Sequence, residues 1–230
     1  MKSILKTIAS KLAPSLHSSP QDDAVPQGEK GVAQIGHRAY VGGLWEEIGK
    51  LQFDFLVSKG LKPDCYLLDV ACGSLRLGVR AIPYLERSHY LGIEKEESLV
   101  RAGLEKELDP KIRIEKQPNI IVSDSFEFEK LAQKADYAIA QSLFTHLPPV
   151  IINLCFKRLY PSLQAGGVFY ATFFRTEQKF ENPREPDDFR PFTYTQAEMA
   201  GFGEENGFTV NYIGDWNHPR KQVMVEYRKS

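Results

Sequence analysis

The chain is predicted to be an α/β protein whose mostly parallel sheet carries helices on both faces and closes with an antiparallel hairpin. Three observations predict it. Short apolar runs alternate with amphipathic stretches from Cys65 to Phe174, the pattern of parallel strands joined by crossover helices. The first of these runs ends in an acid and a small-residue turn, Asp69-Val-Ala71-Cys-Gly73-Ser74. The last two runs are linked only by Gly214 to Lys221, too short for a crossover helix and suited to a hairpin.

Each element has its own signal. Leu44, Trp45, Ile48, Leu51, Phe55 and Leu56 recur at helical spacing, with Gly60 placed to end that helix and Pro63 beyond it. Residues 65–70 form the first strand, and a helix over residues 75–85 is interrupted near Pro83. The second strand is residues 90–93, followed by a helix over residues 97–108. The third strand, residues 119–122, leads to Asp124. The fourth, residues 136–140, leads through a loop to a helix over residues 149–159. Pro149 is well placed there, because its missing N–H would be unsatisfied at a first helical position anyway. Gly166-Gly167 turns the chain into a fifth strand, residues 168–174.

Beyond it the pattern breaks. Residues 175–191 are charged, contain Pro and have almost no aliphatic side chain, so they are predicted to be a functional or disordered loop. Thr195 and Glu198 form a capping box for a helix ending at Gly207. Residues 209–213 and 222–227 supply the closing hairpin.

The N-terminal segment stands apart. Ile4, Leu5, Ile8, Leu12 and Leu16 are helically spaced among Lys2, Lys6 and Lys11. They predict an amphipathic helix over residues 1–16 that either touches a membrane surface weakly or docks on its own domain or a partner. Residues 17–36, rich in Ser, Pro, Gln, Gly and Asp, read as a flexible linker. The division is therefore residues 1–36 for helix and linker, and residues 37–230 for the folded domain.

Composition narrows the classes. Net charge is −1 and hydrophobic content 42%, which supports a core and provides no global field for nucleic acid. No apolar stretch approaches the roughly 20 residues of a membrane span. Cys65, Cys72 and Cys155 form no CxxC pair and no cluster with His. They read as free thiols of a cytoplasmic protein. No metal site is predicted: Asp187-Asp188 sits in the long loop and reads as solvated charge.

Asp69, Glu94 and Asp124 stand at the ends of the first three strands. Open α/β sheets bind ligands beyond these ends, and a carboxylate there has lone pairs for two donors. A dinucleotide fingerprint needs Gly-x-Gly-x-x-Gly. Only Gly73 and Gly78 are present, and an acid at the first strand end opposes a pyrophosphate.

The run Tyr66-Leu-Leu-Asp69-Val-Ala71-Cys-Gly73-Ser74-Leu-Arg-Leu-Gly78, with Tyr90-Leu-Gly-Ile-Glu94 after it, resembles the S-adenosylmethionine (SAM) site of class I methyltransferases, in their small-molecule branch. The resemblance spans roughly Tyr40 to Tyr227. It implies a Rossmann-like, seven-stranded sheet with one antiparallel strand, and SAM as cofactor. Gly73 would let SAM approach the backbone, with Ala71 in the same turn. Asp69 and Ser74 would hold the methionine end, Glu94 the ribose hydroxyls, Asp124 with Ser125 and Phe126 the adenine, and Gln141 the methionine moiety. Ala71 and Leu75 replace the first and third glycines of the family's acid-x-Gly-x-Gly-x-Gly pattern. Leu75 is compatible with it if it already belongs to the helix. The segment His37-Arg38-Ala-Tyr40-Val-Gly-Gly43-Leu-Trp45 would fold over SAM, with Arg38 on its carboxylate and Tyr40 covering it, unless Tyr40 and Trp45 are core aromatics.

The acceptor should face Gln141-Ser-Leu-Phe-Thr-His146-Leu-Pro. His146 is the candidate base or substrate-orienting group; the alternative is a loop-packing histidine. Trp216 and His218 either wall a substrate pocket or cover the core. The expected reaction is methylation of a small molecule, first at a hydroxyl oxygen of a sugar or specialised metabolite. N-methylation and a non-catalytic partner subunit remain alternatives. A protein or tRNA methyltransferase is a further one, disfavoured for tRNA by the charge. Oligomeric state is not legible.

Overall fold

The computed structural model describes residues 25–230. The helix expected over residues 1–16 and the first part of the linker lie outside the described residues. Within the expected linker, Glu29–Ile35 is a helix, α1. Its Val32 is buried, and its Glu29 pairs with Arg101 at 3.0 Å. Both anchors depend on segments remote in sequence, so local composition gave no sign of this helix. A short helix, α2 (His37–Tyr40), and α3 (Trp45–Ser58) follow.

The apolar runs become eight strands: β1 (Leu67–Val70), β2 (Tyr90–Glu94), β3 (Asn119–Val122), β4 (Ala135–Ala140), β5 (Leu163–Arg175), β6 (Thr193–Tyr194), β7 (Phe208–Asp215) and β8 (Val223–Lys229). Their order is β3-β2-β1-β4-β5-β8-β7, with β6 paired to β5 off this path. Only β8 runs against its neighbours in the main sheet. The expected count of seven is met by the main sheet, and β6 makes the eighth. This two-residue strand forms because Phe192 and Tyr194 are buried as the long loop returns, with the Tyr194 hydroxyl donating to Leu147 O at 2.5 Å.

β1 and β2 are buried at every residue, as strands covered on both faces must be. One apolar cluster, with Phe144, Phe156, Phe169 and Tyr227, fills one side. Another, with Leu56, Ile82, Tyr90 and Tyr170, fills the other. From β1 the chain builds outward through β2 to β3, then crosses back to lay β4 on β1's other side. The crevice beyond the carboxyl ends of β1 and β4 is therefore the topological switch point.

Helix α4 covers Gly78–Tyr84, shorter than expected, because Leu75 has φ 68 and cannot begin a right-handed helix. Helix α5 (Glu97–Ala102) continues as a π-helical turn, Gly103–Glu107, where one α-helix was expected. The cause is a close approach: a Cβ on Gly103 would stand 2.8 Å from the Ser74 backbone, so the helix is pressed against the turn after β1. Helix α6 (Pro110–Lys116) was not anticipated, although Asp109 caps it, accepting from Lys111 N–H at 2.7 Å, with Pro110 at its start. Helix α7 spans Pro149–Ser162 and α8 spans Gln196–Glu204, the latter with the expected reciprocal capping box of Thr195 and Glu198. No helix among the described residues is long and apolar enough to cross a membrane, and none of their His, Cys, Asp and Glu side chains group to hold a metal.

Candidate functional site

The turn between β1 and α4 is built on three left-handed residues: Ala71 at φ 60, Gly73 at φ 54 and Leu75 at φ 68. These are the three positions of the glycine pattern. The backbone thus keeps the glycine conformation where side chains are present, at a cost of about 1–2 kcal/mol each. Leu75 recovers this by full burial. The expectation that Leu75 already belongs to the helix is corrected: it is part of the turn.

This turn opens onto a cavity of about 730 Å³ at the switch point, within the range of small-ligand sites. Asp69, Ala71, Gly73 and Ser74 line it from β1 and the turn, and Glu94 from β2. Asp124 joins them from beyond β3, and Gln141 and His146 from beyond β4. Tyr40 covers it from α2. Ser74 Oγ is buried without a partner, an unsatisfied group of the kind that a ligand completes.

Glu94 is buried, yet its carboxylate is held by three backbone donors. Oε1 accepts from Lys95 N–H at 2.9 Å and Glu96 N–H at 3.0 Å, and Oε2 accepts from Gly73 N–H at 2.9 Å. Burial raises its pKa and these N–H groups oppose the rise. Oε2 therefore ties the glycine turn to β2 and retains a lone pair.

Asp69 is pushed up to about 7, chiefly by burial, against the Tyr90 hydroxyl, which donates to it at 2.7 Å, and the nearby Arg76 charge. A carboxyl whose folded pKa exceeds its unfolded value binds a proton more tightly when folded. Its contribution to stability is therefore present below about pH 4 and declines as pH rises to about 7. Asp69→Asn is expected to flatten that decline and make the protein about 2 kcal/mol more stable at pH 8, with no gain at pH 4. Urea unfolding at the two pH values reads this directly.

Two segments close the cavity. The Tyr40 hydroxyl donates to Asp188 Oδ2 at 2.6 Å and accepts from Gly28 N–H at 2.7 Å. Lys95 Nζ pairs with Asp188 at 2.5 Å, and Phe189 meets Tyr40 edge-on at 5.4 Å. The N-terminal strap and the long charged loop thus meet over the site. The loop also fixes His146: Nδ1 lies 2.9 Å from Asp187 O. A carbonyl only accepts, so Nδ1 carries the proton and Nε2 keeps its lone pair. Burial lowers the pKa of His146, favouring this neutral form.

Four expected site residues do not line the cavity. The Arg38 guanidinium faces away and binds Glu107 through Nε at 2.7 Å and Nη2 at 2.5 Å, stacking over Trp45. A nearer carboxylate has claimed it. Ser125 is half-buried outside the lining, its carbonyl accepting from Arg158. Trp216 is core: its indole N–H donates to Gln222 O at 3.0 Å and its ring packs on Phe55. His218 stacks on Trp216 behind Gln141, its Nε2 3.1 Å from the Gln141 amide nitrogen. Burial, with the charges of Arg76 and Arg220, pushes it down to about 4. Both aromatics belong to the layer that supports the site.

Sequence reasoning missed Arg76, Arg220, Gln52, Lys95 and Phe189, all of which line the cavity. Gln52 had a visible signal, since it interrupts the buried stripe of Ile48 and Leu56 on α3. Arg76 and Arg220 had none, looking like ordinary surface cations until the chain folded.

No family model matches the chain, and no curated protein matches it. Solved structures do. The magnesium protoporphyrin IX methyltransferase of Synechocystis PCC 6803 with bound SAM superposes with a TM-score of 0.61 at 16% identity, over 93% of this chain and 87% of that one. Human N-acetylserotonin methyltransferase in complex with SAM gives 0.62 at 12% identity, over 87% of this chain and 58% of that one. The glycopeptide N-methyltransferase MtfA complexed with SAM gives 0.59 at 15% identity, over 79% and 94%. The fold is that of the class I SAM-dependent methyltransferases.

Proposed function

We propose that the protein is a SAM-dependent methyltransferase acting on a small-molecule acceptor, first at a hydroxyl oxygen. The observation that carries the proposal is the cavity at the switch point, where Asp69, Glu94 and Asp124 stand at or just beyond the carboxyl ends of three successive strands around a left-handed turn. Acids at these ends suit a phosphate-free, cationic nucleoside and disfavour a pyrophosphate. The partnerless Ser74 Oγ and the remaining lone pair of Glu94 fit such a ligand. Similarity to SAM-bound methyltransferases supports the same choice of cofactor.

When bound, SAM supplies a methyl group activated by its sulfonium. Asp69 and Ser74 would hold its amino-acid end, Glu94 its ribose and Asp124 with Phe126 its adenine. The protein's remaining work is alignment and exclusion of water, where orientation contributes up to roughly 7–11 kcal/mol. Tyr40, Asp188 and Phe189 close the mouth. His146, neutral and with Nε2 unprotonated, would take the proton from an acceptor hydroxyl or amine. The same base serves an amine, so N-methylation is the second reading. Ala71 and Leu75, the departures from the glycine pattern that would favour a non-catalytic protein, both keep the glycine backbone, which supports a working turn.

Calorimetric titration with SAM and with S-adenosylhomocysteine (SAH) is the test. Micromolar binding of both is expected. A folded sample that binds neither would overturn the proposal.

A further inference from the structure

Two guanidinium groups line the cavity, and neither has a carboxylate partner. Arg76 is buried. Its Nη1 donates to Val41 O at 3.2 Å and Gly43 O at 3.0 Å, and its Nη2 donates to the Gln141 side-chain oxygen. Arg220, from the turn between β7 and β8, donates through Nη2 to Gly42 O. Its Nη1 is so near the strap that a Cβ on Gly42 would stand 2.7 Å from it. Among the described residues no ion pair involves either arginine. Carbonyl and amide oxygens satisfy N–H groups but carry no net charge, so both guanidinium groups stand at this end without an ion-pair partner.

Of the acids lining the cavity (Asp69, Glu94, Glu96, Asp124 and Asp188), none forms an ion pair with either arginine. Lys95 and Asp188 neutralise each other. Glu94 accepts from three backbone donors and from neither arginine. Asp69 is the acid whose charge Arg76 senses, and its own hydrogen-bond partner is the Tyr90 hydroxyl at 2.7 Å. Arg76 itself is pushed down to about 10 by burial and then by the charge of Arg220. A buried charge without an ion-pair partner is costly; this applies to Arg76, an anion offsets that cost, and the exposed Arg220 places a second guanidinium at the same end. SAM does not supply enough negative charge. Its carboxylate is balanced by its own ammonium, and its sulfonium adds a further positive charge.

We propose that Arg76 and Arg220 form an anion-binding end of the acceptor site, so that the molecule methylated carries a carboxylate or phosphate group. This rests on the methyltransferase reading above. A chain of contacts joins this end to the candidate base: His146 to Asp187, Asp188 to Tyr40, and the strap from Tyr40 to Gly42 under Arg220. Leu143, Leu147, Ile151 and Phe189 line the same cavity and give the acceptor's body an apolar surface. Guanidinium suits both anions, since its planar fork matches their oxygens.

The test uses the full chain saturated with SAH, titrated with benzoate, phenyl phosphate and neutral benzamide. At least one anion is expected to bind tenfold or more tightly than benzamide, and the stronger of the two identifies the group. Arg220→Gln is expected to remove that preference and leave SAH affinity within twofold; Arg220→Lys is expected to retain part of it. Equal binding of anions and benzamide overturns the proposal, as does a preference that survives Arg220→Gln. A parallel loss of SAH affinity also overturns it, by assigning the arginine to the cofactor's own carboxylate. If the wild-type protein binds no SAH, the methyltransferase reading fails, and the same titration without SAH still decides for or against the anion site. Arg220 is exposed, so its variants test the charge without removing a core residue.

Discussion

Glu94→Ala is expected to weaken SAH binding by ten- to a hundredfold and to lower folding stability by about 3 kcal/mol. The first effect follows from a ribose hydroxyl losing a charged acceptor, a bond that contributes about 1.5–3 kcal/mol against water. The second follows from the turn. Gly73, Lys95 and Glu96 all direct their N–H groups at this carboxylate, and alanine leaves three donors without a partner. Glu94→Gln separates the two effects, because its carbonyl oxygen still accepts part of the network. It should recover part of the stability while SAH affinity stays low. Calorimetry and urea unfolding on both variants give the readouts. SAH affinity unchanged in Glu94→Ala would remove the ribose assignment and leave Glu94 as the brace between β2 and the turn.

His146→Ala is expected to lower kcat about a hundredfold, within the usual range for proton transfer by a positioned side chain, with SAH affinity within threefold. The acceptor for this assay comes from a screen with labelled SAM. The pH profile carries a sign. Burial lowers the pKa of His146 below its usual 6.5, so the unprotonated Nε2 predominates at neutral pH. Activity should be flat there and fall only as pH drops through the depressed value, and His146→Ala should lack that acid limb. The imidazole also anchors the long loop through Asp187, so a structural role alone would alter KM and loop closure and leave the limb in place. A variant with wild-type kcat would reduce His146 to that anchoring role.

Much of the architecture was legible because it depends on local pattern. β3 and the reciprocal cap of α8 follow from apolar runs and cap residues within a few positions of each other. The hairpin of β7 and β8 follows from the length of its link. What was misjudged depends on distant partners. α1 is held by Arg101 and by its buried valine, and the π-helical turn after α5 is shaped by the backbone of Ser74. The short β6 exists because two aromatic rings are buried where the loop returns.

The site divides along the same line. Asp69, Ala71, Gly73, Ser74, Glu94, Asp124 and Gln141 stand at strand ends or in the turn after a strand, and the topology of an open sheet sends all such positions to one rim. Their convergence is therefore written in the sequence. Arginine is different, because its long side chain can reach a ligand, a carboxylate or a carbonyl, and the nearest complementary group decides. Glu107 took Arg38 out of the site, while Arg76 and Arg220, which pair with no acid among the described residues, line the cavity. The sequence alone thus determined the sheet, its switch point and the acid-lined turn, since these follow from periodicity and strand ends. Only the tertiary structure decided which charges meet in the cavity, because pairing depends on distances between segments that no local pattern encodes.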